Sequence, residues 1–266
     1  MKNTQQILVT GGTGTLGRLV IPRLRDAGCK VRVLSRQSRE DEDGIEYVIG
    51  DLSTGEGVDA AVEGAEIIVH CAGSSKGDDV KARHLVDAAL RVGTRVRHLV
   101  YISVVGADRI PVVSGVDRAM FGYFAAKFGA ERIVAESGLP WTTLRATQFH
   151  DLSLLTVQQM AKMPVIPIPA GFHFQPIDAG EVAARLVELA LGEPKGLVAE
   201  MGGPKAYPMV DLVRGYLRVK VKRKPFIALP MPGGAARAIR DGANLSPDHA
   251  VGHRTWEEFL AERVTS

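Results

Sequence analysis

The sequence predicts an α/β fold: a doubly wound parallel sheet with helices on both faces and a small, loop-rich C-terminal lobe. Three observations predict it. Short apolar runs alternate with amphipathic stretches of helical period over roughly the first 150 residues, which is the rhythm of βαβ units. The first run, Ile7-Leu8-Val9, breaks into a glycine-rich turn, Thr10-Gly11-Gly12-Thr13-Gly14-Thr15-Leu16-Gly17. Beyond residue 150, Pro164, Pro167, Pro169, Pro176, Pro204, Pro208, Pro225, Pro230 and Pro232 punctuate the chain, and proline interrupts helices and central strands. Residues 1–150 are accordingly expected to form the core and 151–266 a smaller lobe interleaved with it, within one structural domain.

Taken in order, the turn leads into Leu16, Leu19, Val20 and Leu24, an amphipathic stretch, so strand, turn and helix follow one another. Gly12, Gly14 and Gly17 satisfy G-x-G-x-x-G, whose glycines serve a tight turn, close approach of backbone to a pyrophosphate, and packing of helix on strand. Unpaired N–H groups and the positive dipole end at the helix start favour phosphate. The combination reads as a Rossmann-type dinucleotide site, with Gly11, Gly12, Thr13, Gly14, Thr15, Leu16 and Gly17 around the phosphates. The second strand, Lys30-Val31-Arg32-Val33-Leu34, ends in Ser35-Arg36-Gln37-Ser38-Arg39 with no carboxylate before Glu40. An acidic residue here selects NAD and a basic one NADP. Arg36, next to Ser35, offers a planar guanidinium to a 2′-phosphate, so NADP(H) is preferred over NAD(H). A third strand, Ile45–Ile49, runs into Gly50-Asp51-Leu52, where Asp51 is placed to accept from the adenine amino group and Leu52 completes the cofactor-binding set of that strand end. The fourth, Ile67–His70, leads into Cys71-Ala72-Gly73, small residues that let backbone pass close to the cofactor ribose. A fifth, residues 98–102, ends at Ser103.

The remaining features narrow the class. A chain of 266 residues with 45% hydrophobic and 24% charged residues has the composition of a soluble globular protein. Its net charge of +3 is too small to imply a nucleic-acid partner. Cys29 and Cys71 do not form a disulfide framework. No charged region followed by an apolar stretch opens the chain, and no run reaches about eighteen apolar residues, so a cytoplasmic protein off the membrane is expected. Residues 178–191 and Met209–Val219 read as short helices. The basic run from Arg218 to Lys224, valines alternating with cations, reads as a solvated edge strand or a helix end. His249 and His253 stand four apart, as on one face of a helix, but no cysteine or further histidine lies close by, so no metal is expected.

Tyr123-Phe124-Ala125-Ala126-Lys127 begins a helical stretch that continues through Ala130, Ile133 and Val134. At four apart, Tyr123 and Lys127 share a helix face. An ammonium near a phenol favours the phenolate, which brings proton exchange with a carbonyl nearer neutral pH.

With these residues in place, the chain resembles the atypical or extended short-chain dehydrogenases/reductases, in the NmrA-like group of NAD(P)-binding proteins. The matching segments are Thr10 to Gly17, Leu34-Ser35-Arg36, Gly50-Asp51-Leu52, Val100-Tyr101-Ile102-Ser103, Tyr123-x-x-x-Lys127, and Ser137-Gly138-Leu139-Pro140-Trp141-Thr142-Thr143-Leu144-Arg145, with Ile177-Asp178-x-x-Glu181-Val182-Ala183 later on. The resemblance implies hydride transfer between NADP and a carbonyl or alcohol, with Tyr123 as acid/base, Lys127 as its electrostatic helper and ribose ligand, and a serine on the carbonyl oxygen. Ser103 matches the first serine of the family's pair or triplet, but Val104 and Val105 follow it, and Ala146 stands where the family has proline. Loss of one preorganised oxyanion donor costs on the order of a hundredfold in rate, unless Ser103, Ser114 or Thr147 substitutes. The segment Ala146-Thr147-Gln148-Phe149-His150 is expected beside the nicotinamide and at the head of the substrate pocket, with Phe149 as an apolar wall that also meets the cofactor and Gln148 and His150 as polar contacts.

Three functions fit. The first is an NADPH-dependent oxidoreductase acting on a small carbonyl or quinone-like compound. The second is a non-catalytic NADP(H)-binding redox sensor of the NmrA type, acting on a protein partner. The third is a sugar-nucleotide epimerase or dehydratase. Homodimerisation is compatible with each.

Overall fold

The computed structural model describes residues 5–41, 44–74, 77–93 and 96–264. They form two compact units: the first comprises Met1–Ser103, Ala126–Leu144 and Gly180–Val198, and the second Val104–Ala125, Arg145–Ala179 and Ala199–Ser266.

The first unit is built on the central sheet. Strands β1 (Gln6–Thr10), β2 (Lys30–Ser35), β3 (Ile45–Ile49), β4 (Ile67–His70), β5 (His98–Val104), β6 (Trp141–Ala146) and β9 (Gly196–Leu197) lie in the order β3-β2-β1-β4-β5-β6-β9. The sheet is parallel, with Ile7 facing both Val31 and Ile67 in register. All residues of β4 and β5 are buried, the condition of strands covered on both faces. Leu8, Ile68, Leu99 and Tyr101 pack with Leu85 and Val134 into one apolar cluster. The order reverses direction at β1, so a crevice opens between the C-terminal ends of β1 and β4, the switch point where such sheets take ligands.

Strand β5 runs two residues beyond the expected 98–102, through Ser103 to Val104. Helix α4 (Gly115–Ala135) begins about two turns before Tyr123, not at it. The reason is a reciprocal cap: the Asp117 N–H donates to Ser114 Oγ at 3.0 Å and the Ser114 N–H to Asp117 Oδ2 at 3.1 Å, the capping-box arrangement. Ser114 is therefore a helix cap at the head of α4.

The second unit holds short elements around two apolar clusters, one on Trp256, Phe259 and Leu212, the other on Phe121, Phe172 and Ile239. Its strands β7 (Ile166–Pro169) and β11 (Phe226–Leu229) pair in parallel as a two-stranded sheet, which leaves edges on which prolines are tolerated. The basic run leaves the end of helix α7 (Met209–Val219) and is a helix end, not a strand. Lys222 N–H donates to Leu217 O and Val221 N–H to Arg218 O, a Schellman closure with Val221 in the left-handed position at φ 52°. His249 closes a 3-10 turn (Pro247–His249) and His253 lies outside any helix. No helix among the described residues is long and apolar enough to cross a membrane.

Candidate functional site

The glycine-rich turn joins β1 to α1 (Gly17–Asp26). Its tight bend belongs to Gly11, not to Gly12: Gly11 has φ +70° and accepts the Gly14 N–H at 3.0 Å. A Cβ on Gly11 would lie 2.6 Å from Ala72 Cα, and one on Gly17 would lie 2.3 Å from Gly11 O. Gly12 packs on Val33, where a Cβ would meet Cγ1 at 2.6 Å. Gly14 stands open with Thr13 and Thr15, all three exposed, while Leu16 is buried at the N-cap of α1. No acidic residue lies in the first turn of α1, so the dipole end and free N–H groups face the crevice without a competing anion.

A cleft of about 600 Å³ opens there, lined by Gly11, Thr13, Gly14, Ser35, Arg36, Asp51, Leu52, Cys71, Ala72 and Gly73. Leu34, Gly50, Ser53, Ser74, Gly77, Val80 and Lys81 line it too. Lys81 lies in the first turns of α3 (Asp78–Arg91), and the glycine before that helix, with the acidic pair after it, was the available sequence signal. Asp51 is held below its ordinary value, chiefly by the Ser53 N–H on its Oδ1 at 2.7 Å, with Arg36 adding to the effect. Ser35 Oγ donates to Gln37 O at 2.8 Å. Burial pushes the Cys71 thiol up to about 12 against the pull of Lys127, and neither Cys71 nor Cys29 is in a disulfide. A smaller neighbouring cavity shares Thr13 and is lined by Gly12, Arg18, Arg25, Arg39 and Tyr47.

Behind Gly73 lies a buried polar cluster. Lys127, 4% exposed, donates to Ile102 O at 3.1 Å and pairs with Asp78 Oδ2 at 3.2 Å. Its ammonium sits 5.0 Å from the centre of the Tyr101 ring. Burial works against its charge, but the Tyr101 oxygen and Asp78 outweigh that and hold its pKa above the ordinary lysine value. The Tyr101 ring also stacks on His70 at 5.2 Å, and His70 Nδ1 meets Thr10 Oγ1 at 2.6 Å. Ser103 is buried, and its hydroxyl has no hydrogen-bond partner among the described residues. Tyr123 is half-buried on α4, edge-on to Phe124 at 5.7 Å.

Burial depresses the pKa of His70 to about 3. Between its ordinary value of 6.5 and that value, the unfolded chain binds a proton that the folded chain refuses. Stability is therefore expected to fall as pH drops below about 6.5, by up to about 1.4 kcal/mol per pH unit from this group. Burial lowers His98 and His150 as well, with the same sign. Melting temperatures recorded at about pH 7.5 and about pH 5.5 check this, and a flat or rising trend toward acid would sink it.

In the second unit, Phe149 is the N-cap of α5 (His150–Met160) and forms a backbone bridge with Ile177. His150 is fully buried rather than set in a pocket wall. Its Nε2 lies 2.9 Å from Arg254 O and its ring stacks on Phe259 at 4.9 Å. Thr147 Oγ1 accepts the Gly203 N–H at 3.2 Å, which makes it a loop tie. Gln148 lines a pocket of about 160 Å³ with Leu152, Phe174, Met209 and Leu212, and its Oε1 is buried with no hydrogen-bond partner among the described residues. No group of three His, Cys, Asp or Glu side chains among the described residues is arranged to hold a metal ion.

Residues 11–166 match a family model described as NAD(P)H-binding. The chain is similar to the photosystem II assembly factor Ycf39 of Trieres chinensis, 26% identical over 264 residues that cover 90% of this chain and 78% of that protein. It is similar to the ceramide reductase of Caulobacter vibrioides, 28% identical over 249 residues, 85% of this chain and 74% of that protein. Its fold is similar to that of the NADPH-dependent quinone oxidoreductase QOR2 of Escherichia coli, solved with NADPH. The TM-score there is 0.77 at 19% identity, over 96% of this chain and 99% of that one.

Proposed function

The chain belongs to the NAD(P)H-binding family, and from that premise we propose that it is an NADPH-dependent reductase of a small carbonyl or quinone-like compound. The observation that carries this reading is Lys127: four residues after Tyr123 on one helix, its ammonium is fixed within a methyl group's reach of Gly73, which lines the cleft. The cleft fits a dinucleotide because Gly11 and Gly17 let backbone pack so tightly at the turn that a Cβ on either would strike it, and Gly14, Arg36 and Asp51 line the space beside that turn.

In this reading the residues from Gly11 to Gly17 hold the phosphates, Arg36 and Ser35 the adenosine end, Asp51 and Leu52 the adenine, and Cys71-Ala72-Gly73 with Lys127 the ribose. When bound, the reduced nicotinamide supplies a hydride to the carbonyl carbon. Tyr123 gives its phenolic proton to the carbonyl oxygen, and solvent returns that proton. Lys127 favours the phenolate left behind. Ser103 orients the oxygen with its one hydroxyl.

The preference for NADP rests on Arg36, which lines the cleft in a strand end without a carboxylate. Arg36→Ala is expected to weaken NADPH binding by about 10- to 100-fold and NADH binding little, the worth of one charge-assisted contact. Titration of both nucleotides checks it; equal losses would remove Arg36 from the 2′-phosphate.

Purified protein with NADPH, followed by loss of the reduced nicotinamide absorbance over quinones, aldehydes and ketones, tests the proposal. Turnover on any of them supports a reductase. Tight NADPH binding without turnover would favour the second reading, a redox sensor whose partner affinity differs between NADP and NADPH. The valines that follow Ser103 favour that reading.

A further inference from the structure

Resting on that reading of Tyr123 and Lys127, we propose that Asp78 is a positioning residue: its carboxylate keeps the Lys127 ammonium charged and in place behind Gly73, and ties it to groups that line the cleft. Asp78 is fully buried in the first turn of α3. One oxygen, Oδ2, pairs with Lys127 at 3.2 Å. The other, Oδ1, accepts the Ser74 N–H at 2.9 Å and pairs with Lys81 at 3.3 Å. Ser74 and Lys81 both line the cleft. A Cβ on Gly73 would lie 3.3 Å from Lys127 Nζ and 3.5 Å from Asp78 Oδ2, so the pair stands directly behind a cleft wall that glycine keeps thin.

A buried ammonium without an anion gives up its proton, and deleting one partner of a buried pair leaves the other charge uncompensated. The groups around Lys127 give Asp78 this role. From β5 come Ile102 O and the Tyr101 phenol, from the end of β4 the neutral His70 and the Cys71 thiol, from α3 the cation Lys81, and from α4 itself Glu131, one turn on. Asp78 supplies a carboxylate at ion-pair distance, on an element separate from the helix that carries Lys127.

The test follows the Lys127 ¹³Cε resonance through alkaline pH in wild type, Asp78→Asn and Asp78→Glu, with pH profiles of kcat/KM alongside. In wild type Lys127 is expected to stay protonated past the ordinary lysine value of about 10.4. In Asp78→Asn its midpoint is expected to drop by at least about one pH unit, and the alkaline limb of kcat/KM to move down with it, because an uncharged Lys127 no longer favours the Tyr123 phenolate. Asp78→Glu is expected to restore most of both. A wild-type Lys127 that titrates at or below the ordinary value, or an Asp78→Asn midpoint and pH profile parallel to wild type, would overturn the proposal. If Asp78→Asn does not fold, the wild-type and Asp78→Glu titrations decide. If no compound is reduced, the reductase reading fails while the Lys127 resonance still decides the role of Asp78.

Discussion

Tyr123→Phe is expected to lower NADPH-dependent turnover by about 10²- to 10⁴-fold, the usual worth of a positioned general acid, while NADPH affinity changes less than about threefold. The substitution removes one oxygen from a half-buried ring on α4 and keeps the ring that meets Phe124 edge-on. An effect confined to kcat marks a group acting in the transition state, not in binding. Steady-state kinetics on the best compound of the panel, with nucleotide titration alongside, checks both halves. Activity equal to wild type would mean that the proton comes from elsewhere, and Ser103 would then be the next group to replace.

Gly11→Ala is the second large effect, and it acts on fold and cleft together. A left-handed φ of +70° costs a non-glycine residue about 1–2 kcal/mol. The new Cβ would also sit 2.6 Å from Ala72 Cα and Ala72 N, which are backbone atoms of the facing cleft wall and cannot swing aside. We expect a total loss of about 3 kcal/mol or more, a melting temperature lower by about 6–12 °C, and NADPH binding weakened by at least about tenfold. Gly64→Ala is the control: Gly64 has nearly the same φ, +72°, but open space around it. It should show the backbone cost alone, with nucleotide affinity unchanged. If both variants lose the same stability, the contact with Ala72 is not what fixes Gly11.

How much was legible depends on the range of the interaction. Buried parallel strands must be apolar along their length, so Ile7-Leu8-Val9, Ile67–His70 and the strand from His98 announce the sheet locally. The α/β class follows from their alternation with helical periods, and the matched family model spans the glycine turn that those strands frame. Gly11, Thr13 and Gly14 of that turn come to line one cleft with Ser35, Arg36, Asp51, Leu52 and Cys71-Ala72-Gly73 from the strand ends, because parallel strands all deliver their C-terminal ends to the same edge, while Gly12, Thr15, Leu16 and Gly17 stay outside that lining. Local readings failed where one residue had two homes. Gly12 was given the bend that φ assigns to Gly11, and His150 was offered to a pocket but is stacked on Phe259 beneath Arg254.

Spacing along the chain determined what elementary patterning can carry: which segments are strands, where phosphate-sized room opens at a helix start, and that Tyr123 and Lys127 share a helix. Tertiary structure alone decided what faces each buried charge. Nothing in the run Gly77-Asp78-Asp79 says that the first carboxylate lies 3.2 Å from Lys127, or that Tyr101 lies under the same ammonium. The partners come from separate strands and helices dozens of residues apart, and an ion pair in a low-dielectric interior is set by where packing brings those elements, which periodicity along one segment does not encode.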